Sequence, residues 1–133
     1  MMPRRPSGRQ SEVIAVDDFH LTLRRLTVRD DDFVSEVLGS EQANREASCL
    51  DAKVHALVQI GALIALDAAP QSYSRCVDVA QHAGASAEEI VGVLVAAMPV
   101  AGGARVVSAA PKLGLALGYD LDAALEEELG LSG

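Results

Sequence analysis

The sequence predicts an all-α fold, and three observations carry that prediction. Half of the 133 residues are apolar, yet only 3% are aromatic and Trp is absent. A core of Ala, Val, Leu and Ile favours closely approaching helices over a β-sandwich, whose strands draw on aromatic side chains. From Leu21 onward apolar residues recur at three- and four-residue spacing, the period of an amphipathic helix. Capping Asp or Ser and terminal Gly or Pro bound the segments so marked, as helix starts and stops should.

The elements follow in order. Residues 1–20 mix Pro3, Pro6 and Gly8 with charges and one β-type patch, Val13-Ile14-Ala15-Val16. They read as a flexible N-terminal arm or an oligomer-swapping segment, ahead of a single helical domain over 21–133. Leu21, Leu23 and Leu26, then Phe33, Val34, Val37 and Leu38, are helically spaced, with Thr27 or Asp30 placed to cap a helix from Asp31 to Leu38 that Gly39 ends. Ser40 to Ser48 is polar and helix-compatible. Asp51 caps Ala52 to Leu66, which is amphipathic through Gln59 and then apolar all round, the mark of a helix buried on every side. Pro70 suits the first turn of a helix reaching Ala83, with Gly84 as its stop. Ser86-Ala87-Glu88-Glu89 is a capping box for a helix through Val95, which Pro99, Gly102 and Gly103 kink or break. Arg105 to Leu117 and, capped by Asp120, Leu121 to Leu129 complete about six or seven helices.

Charge and hydropathy bound the function. Eleven Lys and Arg against nineteen Asp and Glu give a formal charge of −8. The only basic cluster, Arg4, Arg5 and Arg9, is too small to neutralise a phosphate backbone, and two Phe with two Tyr make no base-stacking platform, so no nucleic-acid partner is expected. Mean hydropathy of +0.21 is more apolar surface than a compact monomer of this size covers, which predicts a homo-oligomer. The N-terminus has no apolar stretch of signal-peptide length. The longest uncharged apolar run, Ile90 to Ala104, is interrupted by Pro99, Gly102 and Gly103 and is too short to span a bilayer. Cys49 and Cys76 form neither a redox pair nor, with three His, a zinc set. No membrane partner, no metal and a cytoplasmic location are therefore expected.

Several stretches together carry a family likeness: Leu50 to Val58, His82-Ala83-Gly84-Ala85, the capping box leading into Ile90 to Leu94, and Val100 to Arg105. In order and spacing they resemble the carboxymuconolactone decarboxylase family, whose helical fold is shared with alkylhydroperoxidase D-like proteins. The likeness spans roughly Leu26 to Tyr119. It implies a helical bundle that assembles into trimers or hexamers. The peroxidase branch uses a C-x-x-C pair followed four residues later by His, and those positions are Ala69, Ser72 and Cys76 here. Without neighbouring thiols no intramolecular disulfide can close that cycle, so the decarboxylase branch is the nearer analogue. The likeness implies a cofactor-free reaction needing a proton donor beside a small carboxylated substrate.

Each candidate residue has a functional and a structural reading. Cys76 lies on the apolar stripe of its helix with Tyr73, Val77 and Ala80; it is either a small core hydrophobe or, at the position the family uses for chemistry, a reactive thiol. His55 is a half-exposed first-turn residue or a general base or acid facing the Ser72/Cys76 side. Ser72 shares the face of Cys76, as a first-turn helix residue or a polar site group. Tyr73 is a core anchor or a hydroxyl donor. Arg105 pairs with an acid or holds a substrate carboxylate. His82 suits the C-terminal end of a helix dipole. The expected function is cofactor-independent acid/base chemistry, a decarboxylation or related lyase or isomerase step on a small carboxylated metabolite. The alternatives are a non-catalytic binding or structural oligomer, and peroxiredoxin-like hydroperoxide reduction through Cys76.

Overall fold

The computed structural model describes residues 19–130, in which eight helices and no strand occur. They are α1 (19–27), α2 (Asp31–Gly39), α3 (Glu41–Ser48), α4 (Ala52–Leu66), α5 (Pro70–His82), α6 (Ala87–Ala101), α7 (Gly103–Ala116) and α8 (Leu121–Leu129). The arm read at residues 1–20, with its Val13–Val16 patch, lies outside the described residues except for Phe19 and His20. Eight helices exceed the expected six or seven because the Leu21–Leu26 stretch and the polar Ser40–Ser48 stretch each form a separate helix. A turn with Arg29 in the left-handed region (φ 53°) divides α1 from α2.

The described residues divide into two compact units, 19–49 and 50–130. In the first, Asp30 caps α2 by accepting from the Phe33 amide (3.1 Å) and Ser40 caps α3 by accepting from the Ala43 amide (3.1 Å). The Asn44 amide ties α3 to α2 by donating to the Val37 carbonyl (3.1 Å), and the Arg25 guanidinium lies 5.5 Å from the Phe33 ring centre. No residue of α2 or α3 is buried.

The second unit holds the core. Asp51 caps α4 through the Val54 amide (2.8 Å), and the Ser86–Glu89 capping box forms in both directions at 3.0 and 2.9 Å. Glu89 also accepts from Lys53 Nζ (3.0 Å), joining the first turns of α4 and α6. At the end of α5, Gly84 adopts φ 96°, which costs a Cβ-bearing residue dearly. That turn lets the Ala85 amide donate back to the Ala80 carbonyl (2.9 Å). The break after α6 falls at Gly102 (φ 91°), while Pro99 is absorbed within the helix.

Helix α4 packs against α5, α6 and α7; α7 also receives α5, α6 and α8. Ile60, Ile64, Tyr73, Val77, Ile90 and Leu113 are the largest fully buried side chains. The apolar half of α4 departs from expectation. Ile60 and Ile64 are buried, but Leu66 is 73% exposed, because its neighbours within the unit cover only part of its circumference. No single helix among the described residues is long and apolar enough to cross a membrane.

Candidate functional site

Helix α5 brings three of the predicted residues together. Pro70 occupies its first turn with no side-chain cap, and the helical period then aligns Ser72 with Cys76 and Tyr73 with Cys76, Val77 and Ala80. Tyr73, Val77 and Ala80 are fully buried, Ser72 and Cys76 partly so, and Cys76 packs against the hydrophobic core. The Tyr73 hydroxyl is buried and has no hydrogen-bond partner among the described residues. Burial pushes its pKa above the ordinary tyrosine value, and the negative charge of Asp67 pushes it further. The site therefore presents a protonated hydroxyl in an apolar surround, one turn from a thiol.

His55 is only 5% exposed, where a first-turn histidine was expected to be half-exposed. It is covered because α5, α6 and α7 all pack on α4. Three residues connect α4 to α5, which makes the two helices antiparallel neighbours. At about 1.5 Å per residue, the level of His55 then lies about 12 Å along the hairpin from that of Tyr73 and about 7 Å from that of Cys76. Of the candidates on α5, Cys76 is thus the nearer in level to His55.

Arg105 is exposed in the first turn of α7 and makes no ion pair among the described residues. His82 takes the structural part foreseen for it, its Nδ1 donating to the Asp78 carbonyl (2.8 Å). Cys49 closes α3 in the left-handed region (φ 59°) and is exposed. No group of three or more His, Cys, Asp or Glu side chains able to hold a metal ion occurs among the described residues.

Sequence reasoning missed one polar cluster. Asp67, in the left-handed region at the end of α4 (φ 53°), accepts at Oδ1 from Ser108 Oγ (2.7 Å) and Lys112 Nζ (3.1 Å). Lys112 donates as well to the Ala68 carbonyl (3.0 Å). The Ser108 hydroxyl bond first, then Lys112, hold the Asp67 carboxyl below the ordinary range, with a smaller contribution from the Arg105 charge. A signal was available: Arg105, Ser108 and Lys112 are polar at i, i+3 and i+7 of an otherwise Ala- and Val-rich helix.

An apolar groove of about 330 Å³ lies between α4 and α6, lined by Val54, Leu57, Val58, Gly61, Val93, Ala96 and Ala97. Around it and along the outer faces of α6 and α7, Val95 (69%), Val100 (91%) and Val107 (71%) stand exposed.

No curated protein and no solved structure matches the chain. A family match spans α3 to α6 entirely, with most of α2 and α7, and so contains every candidate on α4, α5 and α7: residues 34–113 match the model of the carboxymuconolactone decarboxylase family, and the chain belongs to that family.

Proposed function

We propose that the protein catalyses a cofactor-independent acid/base step, decarboxylation or a related lyase or isomerase reaction, on a small carboxylated metabolite. The observation that carries this reading is the buried, unpartnered Tyr73 hydroxyl on the same helix face as Cys76, within the family-matched region. Decarboxylation breaks a C–C bond, releases CO2 and leaves an electron pair on the substrate carbon, which must be protonated. A hydroxyl kept neutral by burial is suited to supply that proton. In this reading Tyr73 and Cys76 flank the reacting carbon, Ser72 offers a hydrogen bond, His55, nearer in level to Cys76 than to Tyr73, exchanges a proton on the thiol side, and Arg105 holds a carboxylate. The absence of a C-x-x-C pair speaks against the two-cysteine peroxidase cycle.

The test is a panel of small carboxylated lactones with CO2 release followed by wild type, Tyr73→Phe and Cys76→Ser. Turnover lost in both variants supports the reading; turnover unaffected by either overturns it. A second reading, a non-catalytic oligomeric binding or structural protein, is favoured by the packing of Cys76 against the core. A Cys76 thiol that reacts sluggishly with alkylating reagents across pH, together with no turnover, supports that second reading. Hydroperoxide consumption that disappears in Cys76→Ser supports a peroxiredoxin-like use of the thiol instead.

We also infer that the protein works in the cytoplasm as a homo-oligomer, a trimer or hexamer. The exposed Val95, Val100, Val107 and Leu66 side chains and the α4–α6 groove support assembly of copies through this apolar surface. Light scattering gives the mass directly. A multiple of the protomer mass that falls in Val95→Asp supports the assembly, and a single-protomer mass for the wild type overturns it.

A further inference from the structure

The Asp67 cluster has the composition of an anion site that an internal carboxylate already fills. Two donors from one face of α7, the Ser108 hydroxyl and the Lys112 ammonium, converge on the same Asp67 oxygen at 2.7 and 3.1 Å. Arg105, about two turns before Lys112 on that face, adds a second cation with no ion pair among the described residues, so the cluster keeps one positive charge in a chain of net charge −8. The Asp67 side chain is 43% exposed, so it can turn into water without being stranded in the interior. Lys112, 23% exposed, stays anchored by its second bond to the Ala68 carbonyl at 3.0 Å. The neighbouring Tyr73 hydroxyl, buried and unpartnered, lies within reach of the Asp67 charge and marks an unfilled polar position at the same corner of the fold.

We propose that Ser108 and Lys112, with Arg105 beside them on α7, form a binding site for the carboxylate group of a small organic acid, which the Asp67 carboxylate occupies in the unliganded chain. A ligand carboxylate replaces Asp67 as the acceptor of both hydrogen bonds, and Asp67 moves out to solvent. A carboxylate fits because the arrangement already accepts one, an ammonium and a hydroxyl donating to a single oxygen of Asp67 while the guanidinium supplies charge nearby. The site deepens the carboxylated-substrate reading above and rests on it for its role, but not for its detection.

The test is binding of acetate and succinate to the full chain, followed by amide NMR shifts at constant ionic strength with chloride as the control. Asp67→Asn removes the charge of the internal competitor and leaves only a neutral amide oxygen in its place. An occupant that fills a site about nine-tenths of the time weakens an external ligand about tenfold, so the variant should bind acetate about tenfold more tightly than wild type. Lys112→Met should abolish binding and Lys112→Arg should retain part of it, with far-UV circular dichroism showing that each variant keeps its helices. Carboxylates that shift the amides no more than chloride does in Asp67→Asn overturn the proposal. So does a folded Lys112→Met that binds as wild type does. Binding without turnover of any lactone would sink the enzymatic reading alone; turnover without binding at these residues would sink this one alone.

Discussion

Replacing Tyr73 by Phe should stabilise the protein while removing the proposed proton donor. The ring is fully buried and its hydroxyl has no partner among the described residues. A buried polar group left unsatisfied costs about 1–3 kcal/mol, and Phe keeps the ring shape while removing that group. The small void left by the oxygen takes back part of the gain. A net stabilisation of about 1 kcal/mol remains, which for a unit of this size is about 4–6 °C in melting temperature. Thermal melts by circular dichroism at pH 7 would measure it, at one fixed protein concentration because the proposed assembly would make the midpoint concentration-dependent. The alkaline side offers a second readout. The folded phenol ionises above its unfolded value, so the protein loses further stability as pH rises from about 10 toward the folded value, where only the unfolded phenol sheds its proton. That limb should flatten in the variant. A melting temperature that falls by about 3 °C or more would show that the hydroxyl is hydrogen-bonded in the folded protein, and the argument for a poised proton donor would go with it.

The remaining predictions concern the frame that holds the site. Ile60→Ala, at the fully buried centre of α4, should cost about 2–5 kcal/mol in chemical denaturation. Ser86→Ala removes one half of the α6 capping box and should cost about 1 kcal/mol by the same assay. Glu89, held low first by the Ser86 backbone amide and then by Lys53, and Asp67, held low by Ser108 and Lys112, are both depressed on folding. Their stabilisation is therefore present above the ordinary carboxylate range and is lost as pH falls below about 4. Glu89→Gln and Asp67→Asn should each flatten the acid limb of a stability-versus-pH curve; an unchanged limb would contradict the assigned pairs.

Helix positions were legible in the sequence wherever the chemistry is local. Asp30, Asp51, Ser86 and Asp120 were readable as caps because each satisfies an amide three residues on. Gly84 was readable as a stop because its left-handed turn is intrinsic to glycine. The grouping of Ser72, Tyr73 and Cys76 followed from the helical period alone. The burial of His55 did not, since a polar residue in a first turn is covered or bare according to which helices arrive from elsewhere in the chain.

Leu66 and the Asp67 cluster make the same point from opposite sides. The apolar run ending at Leu66 implied burial on every side, yet one unit supplies too few neighbours, and the leftover apolar face is a property of the packed unit. Asp67 meets Ser108 and Lys112 across 41 and 45 residues of sequence. By itself the sequence determined the all-α class, the caps that start several of the helices and the faces of α5, because those depend on interactions within a few residues. Only the tertiary structure decided that the Tyr73 hydroxyl is left unpartnered and that α7 delivers two donors to the end of α4, because hydrogen-bond satisfaction is set by the neighbours that packing brings.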